Sequence, residues 1–163
     1  MPLVQSAFIN GLIAAENPPK ESIDQQAKGF VDAFIPYIKG GVSNGVPITQ
    51  PTCDLPSAQN ALRGGIAGAF ALASGPAVSD AIGAAILAFF NAGPVSAFFT
   101  SALSASIFVP LSNFTSGINT PIPEQSSAKA TLVAAITAWL NAGPSGFAII
   151  FPGSPSDIKA PIT

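Results

Sequence analysis

Three stretches of this chain write the same helical face and then stop at a glycine. Phe30–Gly41, Ile82–Gly93 and Leu132–Gly143 align without gaps. Large apolar residues recur at the first, fifth, eighth and ninth places: Phe30, Phe34, Tyr37, Ile38; Ile82, Ile86, Phe89, Phe90; Leu132, Ile136, Trp139, Leu140. That i, i+4, i+7, i+8 spacing makes one continuous stripe on an α-helix. Ala33, Ala85 and Ala135 hold the fourth place, where a small side chain lets a neighbouring helix approach. A polar residue follows each apolar pair (Lys39, Asn91, Asn141), with a glycine two places on. Glycine there permits a left-handed stop, and Pro94 and Pro144 prevent continuation. Tyr37, Phe89 and Trp139 lie 52 and then 50 residues apart, and the last two units agree most closely, both ending Asn-Ala-Gly-Pro. A repeat of this length dictates architecture before any other feature does.

The sequence between the units supplies further elements. An opening helix from Leu3 to Ala15 ends ahead of Asn17-Pro18-Pro19, and Ser22 caps a charged helix from Ile23 in which Pro36 should introduce a kink. A weaker helical segment runs from a Ser57 cap to Gly75-Pro76. Ser79, and Ser126 or Ser127, are the expected caps of the second and third units. Asn44-Gly45 between β-branched residues predicts a hairpin, and Phe147–Phe151 predicts a strand ended by Pro152-Gly153. The expected fold is therefore mainly α, a compact bundle of about five short helices from a repeated helix-turn unit, with minor short strands or a hairpin. Residues 1–154 form one helical domain, and residues 155–163 an extended C-terminal arm with no core of its own.

Charge and composition exclude several functions. Only 9% of the 163 residues are charged, and 48% are apolar, against roughly 25% charged in an ordinary soluble domain. The six cations are spread along the chain and the net charge is −2, so nucleic acid is not an expected partner. There is no histidine, which removes the commonest general base and metal ligand. Asp24, Lys28 and Asp32 follow i, i+4 spacing, the pattern of a solvated helix face rather than a carboxylate pair for catalysis. Arg63-Gly64-Gly65-Ile66-Ala67-Gly68 lacks the strand and the Lys-Ser/Thr of a phosphate loop, and close helix packing explains its glycines. Cys53 stands alone, so it can form no disulfide within the chain, and it reads as a small buried hydrophobe. Asn113-Phe114-Thr115 matches a glycosylation acceptor, discounted because no basic, apolar leader opens the chain. No catalytic residue, cofactor or metal ligand is assigned, and the chain is not expected to be an enzyme.

Residues 81–123 carry no charge, which raises the alternative of a membrane-active or membrane-embedded protein. A span needs about 20 consecutive apolar residues. Gly75-Pro76, Gly93-Pro94 and Pro110 cut this region short, and Ser96, Thr100, Ser101, Ser104 and Ser106 dot it. Buried helices fit it better, so membrane is ranked behind protein as the partner. A carrier with an apolar pocket lined by Phe70, Phe89, Phe98 and Phe99 is a further alternative.

One stretch carries a family likeness. Leu12–Ala15 and Gln25–Val42 give an opening helix, then Ala27, Ala33, Tyr37 and Gly41 in an A-x-x-x-x-x-A-x-x-x-Y-x-x-x-G helix, then an uncharged Gly/Val/Pro segment. This arrangement resembles small virion structural proteins of tailed bacteriophages. The resemblance implies a non-enzymatic subunit of a neck, tail or baseplate. Such a subunit is made in the host cytoplasm, resides in the virion, and packs against copies of itself and other structural proteins. A charge-poor, Phe- and Ala-rich surface would suit such permanent contacts.

Overall fold

A computed structural model describes residues 3–16, 22–48, 52–72, 75–93, 96–99, 122–153 and 156–163. Among these are five α-helices: α1 (Gln5–Ala15), α2 (Ile23–Lys39), α3 (Pro56–Phe70), α4 (Gly75–Asn91) and α5 (Ile122–Asn141). Strands β1 (Val42–Ser43) and β2 (Val46–Pro47) form a hairpin. Strands β3 (Ser96–Phe99), β4 (Phe147–Phe151) and β5 (Ile158–Ala160) form an antiparallel sheet with β4 in the centre. The protein is mainly α with small antiparallel sheets, as its periodicity predicts. None of the described helices is long and apolar enough to cross a membrane.

The repeat decides what is inside. All twelve of its large apolar positions, on α2, α4 and α5, are buried. Two of the three fourth-place alanines do the packing expected of them: a Cβ on Gly11 of α1 would lie 2.9 Å from Ala33 Cβ, and one on Gly65 of α3 would lie 2.5 Å from Ala85 Cβ, while Ala135 is half-buried. Alanine against glycine thus sets the α1–α2 and α3–α4 separations. Gly64 and Gly68 do not take part, because a Cβ on either would meet nothing within 4 Å. Close packing explains one glycine of that cluster and leaves two on the exposed side of α3.

Helix starts follow cap chemistry only in part. Ser22 Oγ accepts the Gln25 amide at 3.2 Å, and Asp24 lies in the first turn of α2, where the helix dipole favours an anion. Ser57 is not a cap: α3 begins one residue earlier, with Pro56 in its first turn, where the missing N–H leaves no bond unmade. Ser79 is likewise interior to α4 and buried, and Ser126 and Ser127 lie inside α5. Gly75-Pro76 therefore opens a helix instead of closing one. Of the expected glycine stops, Gly143 has φ +60°, the left-handed value that glycine takes without strain. The expected stops Gly41 and Gly93 do not take a positive φ, and α2 is capped instead by Gly40 with a right-handed φ of −76°. Asn44 and Gly45, at φ 51° and 75°, turn the β1–β2 hairpin as predicted.

The C-terminal residues are extended and built into the body. Lys159 and Ala160 pair with Ile150 and Ile149 of β4. The Ile162 amide donates to the Leu140 carbonyl at 3.0 Å, and Thr163 and Val42 exchange amide hydrogen bonds of 2.9 and 2.8 Å. Ser43 Oγ donates to the Ala160 carbonyl at 3.3 Å. These bonds stitch the small hairpin to the three-stranded sheet.

Candidate functional site

Aromatic rings connect the repeat units through the middle of the molecule. Phe8 of α1 meets Phe30 and Phe34 edge-on at 5.5 and 5.7 Å between ring centres, and stacks on Tyr37 at 4.8 Å. Phe34 meets Phe89 of α4 edge-on at 5.9 Å, and Phe89 meets Phe90 at 5.0 Å. Phe90 reaches Phe147 of β4 at 5.2 Å, and Phe147 reaches Trp139 of α5 at 5.0 Å. Offset and edge-to-face geometries of this kind add to the burial of the rings. The predicted anchors Phe30, Phe34, Tyr37, Phe89 and Trp139 thus belong to one spine, and Ile82, Ile86, Leu132 and Ile136 pack in the same core. Phe8 and Phe147 complete it from outside the repeat. Phe70 and Phe89 are core residues of this spine, and Phe98 and Phe99 are strand residues whose side chains lie outside the described set.

Polar ties hold the dry core in register. Thr137 Oγ1 donates to the Val133 carbonyl at 2.7 Å, so at the 2.7 Å contact between Tyr37 and Thr137 the tyrosine hydroxyl is the donor. Burial pushes the Tyr37 phenol up to about 12, with the Thr137 hydrogen bond opposing it in part. Lys129, whose side chain is 5% exposed, pairs with Glu16 at the end of α1 at 2.6 Å. Arg63 of α3 holds Asp24 of α2 through two hydrogen bonds, one of 2.8 Å from Nε. That bond is the main reason the Asp24 carboxyl lies below the usual carboxylate range. Asp24 therefore bridges two helices instead of pairing with Lys28, which bonds Asp32 at 2.6 Å as the i, i+4 spacing predicts. Lys39 and Asp54 meet at 2.5 Å.

Cys53 is buried and donates to the Ile48 carbonyl at 3.3 Å; desolvation pushes its thiol up to about 11, far from a reactive thiolate. A pocket of about 10 Å³, about the room of one water, opens between Leu12, Ala15, Glu16, Gln26, Gly29, Phe30 and Phe70. Gln26 Oε1 is buried at its wall and finds no hydrogen-bond partner among the described residues. Also among the described residues, no group of three or more His, Cys, Asp or Glu side chains could hold a metal ion.

The two polar ties of α5 fall in columns of the repeat beside its apolar face. The sixth place holds Ile35, Leu87 and Thr137, and the place three before each unit holds Ala27, Ser79 and Lys129. That earlier column is buried in all three units, so a lysine there must find a partner. No protein-family model, curated protein or solved structure matches the chain.

Proposed function

We propose that this chain is a non-enzymatic structural subunit of a larger assembly, of the kind that builds the neck, tail or baseplate of a tailed-phage virion. The observation that carries the proposal is the make-up of its outer helix faces. Asn60, Gly64 and Gly68 on α3, Ala84, Ala88 and Asn91 on α4, and Ala134, Ala138 and Asn141 on α5 are all exposed. Each set follows helical spacing and presents small, uncharged side chains. Such faces accept a neighbouring backbone at short range with little charge to desolvate. The buried phenylalanines supply the rigidity of the body, since all seven at positions 8, 30, 34, 70, 89, 90 and 147 are inside.

The virion part of the proposal rests on the likeness of Leu12–Ala15 and Gln25–Val42 to phage structural proteins. Sedimentation equilibrium over a wide concentration range tests the assembly: multimers are expected, and a monodisperse monomer at high concentration overturns it. Mass spectrometry of what co-purifies with the tagged chain tests the virion, the expected species being other structural proteins of one particle.

A further inference from the structure

If the chain assembles, the described surface offers little to hold copies together. Its exposed large hydrophobics are Val4, Ile23, Val46, Leu72 and Ile158, one to an element or a turn. Small-residue faces give fit, but large apolar side chains at the centre of an interface give most of its strength. Among the described residues, one slot that takes an extended segment is filled by residues 156–163 of the chain itself.

Residues 156–163 lie in a slot made entirely by the rest of the protein. On one side β5 pairs with β4. On the other, Thr163 exchanges two hydrogen bonds with Val42, and Leu140 receives the Ile162 amide. Ile162 is fully buried, and a Cβ on Gly41 would lie 2.9 Å from its Cγ2 and 2.8 Å from Leu3 Cδ2, so the absent side chain at Gly41 leaves room for both. Ala160 is buried beside it, while Ile158 and Lys159 point to solvent. Main-chain bonds on both edges and one side-chain anchor make up the pattern of strand addition, in which the slot recognises a sequence and not the molecule that brings it. Two contacts join this segment to β4 where it begins: the Gly153 amide donates to Asp157 Oδ1 at 3.3 Å, and Phe151 pairs with Ile158. Exchange requires the Gly153–Asp157 hydrogen bond to break and the β4–β5 pairing to open, after which the same pairing can be remade with a neighbouring copy.

We propose that copies of this chain are joined by exchange of residues 156–163, each copy inserting its arm into the slot of the next, with the Asp157 turn as the latch that keeps the arm home. The proposal rests on the assembly reading above and specifies its linkage. It needs no apolar patch, because an exchanged arm remakes the contacts it had, which is why swapping is a low-cost route to oligomers. Because nothing limits exchange to reciprocal pairs, it can also extend into chains of subunits.

Thr163 and Val42 form a directly hydrogen-bonded antiparallel pair, a spacing of about 5.5 Å between Cα atoms that a disulfide can bridge. Two full-length variants, Val42→Cys and isotope-labelled Thr163→Cys, would be mixed, concentrated and oxidised with oxidised glutathione. Buried Cys53 is left in place, and the parent chain serves as the background control. Exchange predicts a mixed-mass covalent dimer joined through the two introduced thiols. Asp157→Ala added to both chains should raise its yield several-fold. Multimers that form without the mixed disulfide overturn exchange and leave the assembly reading standing, whereas a monomer in every sample overturns both. A yield that Asp157→Ala leaves unchanged overturns the latch.

Discussion

Helices α4 and α5 carry the same repeat and bury the same face, yet they are held in place differently. The buried side of α4 is Val78, Ile82, Ala85, Ile86, Phe89 and Phe90, with the small hydroxyl of Ser79 as its polar member. On α5 the corresponding side includes Lys129 and Thr137, each bonded to a different helix: Lys129 to Glu16 of α1 and Thr137 to Tyr37 of α2. An apolar face can slide or rotate against its neighbours at modest cost, since hydrophobic burial is not directional. A buried ammonium or hydroxyl cannot, because leaving its partner means losing a hydrogen bond in a medium that offers no other. The repeat thus states which face goes inside, and its polar exceptions state which neighbour that face must meet.

The largest effects should be blind to this difference. Phe89→Ala on α4 and Trp139→Ala on α5 each remove a ring from the spine and should cost about 3–5 kcal/mol in denaturant unfolding. Costs far apart would mean that the spine is not one core, and the comparison would fail at its base. Next comes Lys129, where the helices should diverge. Lys129→Met leaves Glu16 beside a buried apolar chain; Glu16 keeps a quarter of its exposure, so the expected loss is about 2–3 kcal/mol, below the 3–5 of a wholly buried pair. Glu16→Leu combined with Lys129→Met should recover most of it. Recovery of stability together with a broadened amide NMR spectrum of α5 would assign the pair to register. No recovery would make it a stability device and nothing more.

How much of this was legible follows from which interactions are local. The periodicity of Phe30, Phe34 and Tyr37 and its two echoes is written within single helices, so the core face could be read directly. Ser22 and Asn44-Gly45 act within four residues and were equally plain. The helix starts at Pro56, Gly75 and Ile122 were not, because a serine near a helix start invites the cap reading, while a proline in the first turn serves as well. Strand β3 takes its partner from about fifty residues away, where Ser96 pairs with Ile150, and no spacing in the chain announces that. The same holds for Gly41, a glycine expected as a helix stop, over which Leu3 and Ile162 pack from opposite ends of the sequence. Lys129 and Thr137 stood in plain view as polar entries in apolar columns, but their partners Glu16 and Tyr37 are far along the chain.

Tyr37→Phe is the smaller test of α5, expected to cost about 1 kcal/mol as Thr137 loses its hydrogen-bond donor. The pH dependence has a definite sign. The phenol ordinarily titrates near 10 and is pushed up to about 12 in the fold, so its contribution is whole below pH 10 and is lost as pH rises from 10 toward 12. Cys53, raised from 9 to about 11, adds loss of the same sign from pH 9 to 11. Tyr37 is the one tyrosine in the chain, so phenolate absorbance reports it alone. A midpoint at 10 in a still-folded protein would show that the Tyr37–Thr137 contact is open to water, and α5 would then resemble α4 after all.

The smallest expected effect tests the outer faces against each other. Gly64 and Gly68 stand exposed within α3 with nothing near the place a Cβ would take. In an isolated subunit, alanine there should be a gain, about 0.5–1 kcal/mol for each, because glycine loses more backbone freedom in a helix interior than alanine does. On α4 the matching outer positions, Ala84 and Ala88, are already alanine, so the two faces differ at positions where the folded monomer gives no reason for glycine. Gly64→Ala with Gly68→Ala should therefore raise the melting temperature while weakening multimers, a split between stability and association. Higher stability with association untouched would remove α3 from the contact and leave the exchanged arm, with the alanine faces of α4 and α5, to carry it. Lower stability in the monomer would mean that a neighbour within the same chain covers these glycines, and the open face of α3 would not exist.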